Sequence, residues 1–162
     1  MKKITYLLLL SCLFLSSCAS KVEKQDDKIK QQDNKIEKIE KYNQSQLLLL
    51  DLHNKQRKSK ILKELIIDEN LCKYAQNHAK EMAKKNSLYH SSMSSLIKVN
   101  EGTKTVGENI AYGQSTEEKA MKDWMNSTGH RWNILSKEYR KIGIASEKDE
   151  DGRIYWCVVF SN

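Results

Sequence analysis

The 162 residues contain no proline, only six glycines and four cysteines, and aromatic side chains make up just 7% of the chain. The missing prolines and sparse aromatics exclude nothing about a compact core. The aromatics that are present do not alternate with a basic stripe, the pattern that a phosphate-tracking surface needs. Lys and Arg number 28 against 21 Asp and Glu, a formal charge of +7. The surplus is +2 over residues 1–17, +1 over 18–45 and +4 over 46–162, spread too thinly to imply a nucleic-acid partner. There is no G-x-S-x-G elbow, no phosphate-cradling glycine loop, no H-E-x-x-H and no reactive-cysteine signature. No cysteine sits in a C-x-x-C pair, which excludes a zinc ribbon. The length bounds the chain to one modest domain with extensions.

The one long apolar run, Ile4 to Leu15, is broken by Thr5, Ser11 and Cys12, follows Met1-Lys2-Lys3 and precedes Ser16-Ser17. It is too short to span a membrane as a helix and reads as a secretory signal peptide. Leu15-Ser16-Ser17-Cys18 then resembles the bacterial lipobox, which implies lipidation of Cys18 after cleavage and an anchored protein. Leu9-Leu10-Ser11-Cys12 is a weaker second match that would leave Leu13-Phe14-Leu15 outside, and an ordinary cleaved signal with an incidental cysteine is the other reading. With Cys12 removed and Cys18 lipidated, only Cys72 and Cys157 belong to the fold, either as one disulfide or as two buried thiols.

Residues 18–45 are Lys, Asp, Glu, Gln and Asn with isolated apolar positions, a composition that cannot bury enough surface to fold. They read as a tether for the lipidated Cys18. Val22, Ile29 and Ile36 recur every seven residues, but Gln25 and Gln32 interrupt the pattern; a solvated spacer is expected over a self-associating stalk.

The folded unit is expected over 46–162. Leu47, Leu48, Leu50 and His53 to Arg57 read as a first helix, and Ile61 and Leu62 as an extended link. A second helix runs from an N-cap at Asp68 to about Asn86, with Leu71, Cys72, Ala75, Ala79 and Met82 inward. Ser87 to Val106 reads as a long polar loop. A capping box at Ser115 and Glu118 starts a third helix that ends near Asn126, with Ala120, Met121 and Trp124 inward. Lys141–Ser146 and Arg153–Phe160 read as strands around a turn at 149–152. The last strand is apolar on both faces and so needs cover on both. The expected fold class is therefore α+β, a three-layer α-β-α sandwich around a small antiparallel sheet.

His90, Glu108 and His130 are the residues that could carry chemistry. Two imidazoles and a carboxylate can hold Zn2+ with one position open. Each is about twenty residues from the next, so spacing alone leaves a shared site and scattered loop histidines both open. His53 reads as an anchor of the first helix, His78 as part of a solvated edge, and Trp124, Trp132 and Trp156 as core.

Several segments together resemble the CAP superfamily of cysteine-rich secretory, antigen-5-like and pathogenesis-related proteins, in its compact bacterial (SCP) branch. They are Leu52–Arg57, Asp68–Leu71 with Tyr74-Ala75-Gln76, Leu88-Tyr89-His90-Ser91, Val106–Ala111, Trp124–Leu135, Ile142-Gly143-Ile144 and Tyr155-Trp156. The resemblance covers residues 46–162. It implies an α-β-α sandwich with a cleft lined by a His-Glu-Glu-His tetrad, matched here by His90, Glu108 and His130, with Ser127 where the second acid falls. Asn109 and Arg131 are implied as cleft neighbours with structural duties. Losing the second acid removes a carboxylate free to act as base.

Together the leader, the tether and the resemblance lead us to expect a cell-envelope lipoprotein, extracytoplasmic, at the cell membrane or outer membrane and monomeric. Its cleft would bind a polar ligand, an envelope component, a lipid head group, or Zn2+ or another divalent metal at His90, Glu108 and His130. No catalytic residue is assigned. A metal-dependent envelope hydrolase or protease is the alternative, and an adhesin with a vestigial cleft the third reading.

Overall fold

The computed structural model describes Lys30, residues 41–99 and residues 105–162. The stretch read as a signal peptide, Cys18 and most of the stretch read as a tether, with its heptad positions, lie outside the described residues. The chain divides into Met1–Asn43 and a compact unit, Gln44–Asn162.

The compact unit contains helix α1 (Gln44–Lys58), strand β1 (Ile66–Ile67), α2 (Glu69–Lys85), α3 (Met93–Val99), β2 (Val106–Tyr112), α4 (Glu117–Asn126), α5 (Thr128–Leu135), β3 (Lys141–Lys148) and β4 (Ile154–Ser161). The sheet order is β1-β3-β4-β2. The β3–β4 hairpin is central and β2 pairs antiparallel with β4, but the short β1 edge runs parallel to β3, so the sheet is mixed rather than wholly antiparallel.

The two apolar faces of β4 account for the layers. Tyr155, Cys157 and Val159 join Leu71, Ala75, Ala79 and Met82 of α2 in one core. The alternate residue Phe160 meets the His53 ring of α1 at 5.7 Å, and His53 lies 5.8 Å from the Trp124 ring of α4. Helices thus cover both sides of a CAP-like sandwich. Gly143 of β3 faces α2 so closely that an added Cβ would collide with the Leu71 backbone, which places the strand directly under the helix.

Local chemistry sets the helix ends. Asp68 caps α2 by accepting the Leu71 N–H at 3.0 Å, and Asn86 closes it with a left-handed backbone at φ 48°. The α4 cap is Thr116, not Ser115: extended at φ −144°, it accepts the Lys119 N–H at 3.3 Å, whereas Ser115 Oγ accepts from Lys119 Nζ at 2.9 Å. The stretch 87–106 is not a single loop, since Met93–Val99 is helical with Leu96 turned into the core.

The two fold cysteines are free and buried. Each sulfur has another neighbour: Cys72 Sγ accepts the Ile144 N–H at 3.4 Å, and Cys157 Sγ lies 3.9 Å from Glu108 Oε2. The disulfide reading is replaced by two thiols, each serving as a small core side chain.

Candidate functional site

Strand β2 supplies the centre of the site. Opposite Val159 of β4, Glu108 turns towards the α2 side with 6% of its surface exposed. A carboxylate there needs several donors. It receives the Ser91 N–H and His90 Nδ1–H on Oε1 at 2.9 and 2.8 Å, and the Ser91 hydroxyl on Oε2 at 2.6 Å. The His78 Nε2 lies 3.8 Å from Oε2 and donates to the Tyr89 carbonyl at 2.8 Å. Burial, and after it the Glu108 charge, push the Cys157 thiol far up, so Cys157 faces the carboxylate as a neutral thiol.

The next residue, Asn109, points to the opposite face of the strand and is fully buried. Its amide donates to the His130 carbonyl at 3.0 Å, and its Oδ1 accepts from Asn133 Nδ2 at 2.9 Å. Asn133 Nδ2 also reaches the Glu108 carbonyl at 3.1 Å, so α5 is tied to β2 at the height of the site. Gly107 lets this happen, because a Cβ there would press on Asn133 Oδ1 at 2.8 Å and on the Tyr139 hydroxyl. That hydroxyl donates to the Val106 carbonyl at 3.0 Å.

Between these supports lies a cleft of about 650 Å3 lined by His90, Glu108, Ser127, His130, Trp132 and Tyr139 among others. The three residues singled out from sequence thus share one site, and Ser127 lines it. Burial foremost, and then the nearby His90, lower the His130 pKa, which favours the neutral ring. Because His90 Nδ1 is committed to Glu108, its Nε2 is the nitrogen available to a ligand. Asn109 and Arg131 do not line the cleft. Asn109 holds the α5 backbone, and Arg131 donates to the Met125 carbonyl at 2.8 Å and borders a separate groove.

Among the described residues, no group of three or more His, Cys, Asp or Glu side chains is placed to hold a metal ion. The donor set explains this. Both Glu108 oxygens are aimed at Ser91 and His90, so His90, Glu108 and His130 do not fit a three-ligand Zn2+ centre.

Two sequence readings are corrected here. His78 is buried at 7% exposure rather than on a solvated edge, because it faces Glu108; its place one residue before Ala79, on the α2 stripe, was the available signal. Trp132 is 64% exposed, whereas Trp124 and Trp156 are core as expected. Sequence reasoning missed Asn133, Tyr139 and the clamp role of Ser91, since their partners come from other elements. It also missed Arg57, buried at the end of α1, where it donates to the carbonyls of Lys63, Ile134, Ser136 and Tyr139 at 2.7–3.2 Å.

Comparison with known proteins agrees with this architecture. The uncharacterized protein YkwD of Bacillus subtilis (strain 168) is 40% identical over 102 residues, covering 59% of this chain and 40% of that protein. The chain therefore spans about two fifths of that relative's length. An extracellular protein containing an SCP domain from Bacillus anthracis str. Ames superposes with a TM-score of 0.61 at 28% identity, over 72% of this chain and 39% of that one. The crystal structure of NaASP2 with Zn2+ gives 0.60 at 19% identity, over 74% and 80%. The family description "CAP: Cysteine-rich secretory protein family" matches residues 50–160. With its helix-covered sheet and its His90–Glu108–His130 cleft, the chain belongs to the CAP, or cysteine-rich secretory protein, family.

Proposed function

We propose that this CAP domain is an extracytoplasmic binding module whose cleft takes the polar head of an amphiphile between His90 and His130. The apolar part of the ligand lies along Met93, Leu96 and Trp132, which line the same cleft. The observation that carries the binding reading is the full engagement of Glu108. A metal-dependent hydrolase of the expected kind needs a carboxylate free to take a proton from water. Glu108 is occupied by Ser91 and His90, and Ser127 stands where a second acid would lie. The reading extends to the N-terminus: residues 1–17 act as a lipoprotein signal and Cys18 carries the lipid.

The second reading is a divalent metal such as Zn2+ on the two imidazoles, with Glu108 bracing His90 from behind. It is favoured by the His90–Glu108 hydrogen bond and by the existence of a Zn2+ structure of NaASP2.

Calorimetric titration of the purified protein with dihexanoyl phosphatidylglycerol and with ZnCl2, alongside turnover assays on peptides and peptidoglycan, tests both. The amphiphile is expected to bind at least tenfold more weakly to His130→Ala, with no turnover. Micromolar Zn2+ binding lost in both His90→Ala and His130→Ala would establish the second reading. Turnover abolished by His130→Ala would overturn the binding-only conclusion.

A further inference from the structure

Helix α1 ends in a Schellman turn: the Leu62 N–H reaches the Arg57 carbonyl at 3.1 Å, and the Ile61 N–H reaches that of Lys58 at 3.0 Å. This turn holds Ile61 in the left-handed region, at φ 57°. Glycine or asparagine is the ordinary occupant, because a β-branched side chain clashes with its own backbone there. The same chain uses the ordinary solution at the end of α2. There Asn86 sits at φ 48°, and the Asn86 and Ser87 N–H groups reach Ala83 and Met82 at 3.2 and 3.1 Å.

Ile61 is also 96% exposed. Backbone sterics and water both disfavour isoleucine at this position, and no contact inside the fold compensates. A side chain that conflicts with its local rules and gains nothing within the fold points to a contact outside it.

The surroundings identify the contact. Residues 58–63 read Lys-Ser-Lys-Ile-Leu-Lys, with all three lysines exposed and no acid among them. Leu62 borders an apolar groove of about 560 Å3 together with Trp132, Leu135, Arg131, the exposed Lys137 and one acid, Glu138, while Glu64 follows the lysine run in sequence. Trp132 reaches from this groove to the His90 and His130 cleft, since it lines both. An apolar tip and an exposed indole among lysines match the boundary of an anionic bilayer: the rings and methyls enter the headgroup layer while the ammonium groups stay with lipid phosphate.

We propose that this face docks on an anionic lipid surface, Ile61 and Trp132 entering the headgroup region and Lys58, Lys60, Lys63 and Lys137 pairing with lipid charge. The proposal rests neither on what the cleft binds nor on lipid at Cys18.

The test uses the full chain with vesicles of phosphatidylglycerol and phosphatidylethanolamine, or of phosphatidylcholine alone. Because Trp124 and Trp156 are buried, a vesicle-induced shift in tryptophan emission reports Trp132 even if another segment also holds the protein to lipid. A blue shift is expected on the anionic vesicles only. It should weaken with added salt and disappear in Trp132→Phe. Ile61→Asn should raise Tm by about 4 °C or more by relieving the left-handed strain, while reducing the affinity read from this shift about tenfold. The gain in Tm shows that the variant is folded.

An unshifted emission on anionic vesicles, an equal shift on neutral ones, or unchanged affinity in Ile61→Asn would overturn the proposal. So would a dimer in solution that Ile61→Asn dissociates, because the face would then be covered by a second copy.

Discussion

His53 shows how a single buried side chain can set a pH dependence. Its Nδ1 lies 2.7 Å from the Leu49 carbonyl, which can only accept, so the proton sits on Nδ1 and Nε2 is bare. Nε2 is buried without a hydrogen-bond partner, against the rings of Trp124 and Phe160. Protonating it would create a buried cation near Arg57. Burial foremost, and the Arg57 charge to a lesser degree, bring the His53 pKa down to about 4, although the Leu49 carbonyl opposes this. The folded pKa lies below the unfolded value near 6.5, so the unfolded state binds the extra proton first. The contribution is fully present above pH 6.5 and is lost as pH falls from there through 4, amounting to about 3 kcal/mol. Urea unfolding across pH 4–7 should show this decline, and His53→Phe should flatten it. A slope unchanged in the variant would assign the dependence elsewhere. That His53 anchors α1 was readable from its place on an apolar helix face; that its second nitrogen is stranded was not, because the rings around it come from α4 and β4.

At the scale of elements, two contacts hold the layers in place around the cleft. Arg57 gathers four carbonyls from the segments after α1 and around the α5–β3 connection, and burial lowers its pKa. Truncating it leaves those carbonyls unpaired in the interior. Arg57→Ala should therefore destabilise by about 3–5 kcal/mol in chemical denaturation, and Arg57→Lys should recover little because one ammonium cannot span the fork. A loss below about 1 kcal/mol would show that water replaces the guanidinium. On the other face, Gly143→Ala should cost about 1–3 kcal/mol, since the added methyl meets the Leu71 backbone rather than a side chain that can move away. A Tm equal to that of the parent would mean that α2 shifts freely on the sheet. The helices were legible because 3.6-residue periodicity and capping residues are local signals: α2 and α4 were bounded to within a residue or two. Strand β2 was not legible as a strand, since Gly107, Glu108 and Asn109 are poor strand formers by propensity. They are held extended by the ladder to β4 and by partners on both faces. The parallel β1 edge, two residues long, carries too little pattern to announce itself.

For the whole molecule, the anchoring inferred from Leu15-Ser16-Ser17-Cys18 makes a direct prediction. Cys18→Ser should move the expressed protein from the detergent phase to the aqueous phase of a Triton X-114 extraction, and intact-mass measurement should show loss of the diacylglyceryl adduct. A parent protein found in the aqueous phase would remove the anchor. Among the described residues, no helix is long and apolar enough to cross a membrane. The sequence by itself determined the class of the fold, because apolar periodicity, caps and a two-faced final strand are properties of short segments, and its motifs carried the resemblance to the CAP family. It also supplied the three cleft residues, through motifs rather than spacing. Only the tertiary structure decided that Glu108 is clamped by Ser91 and His90 and that His78 and Cys157 lie beside it. It also decided that the two cysteines are free, buried thiols and that Ile61 and Trp132 are exposed. These outcomes depend on which elements meet across the sheet, and distances between residues tens of positions apart are set by packing, which no local pattern encodes.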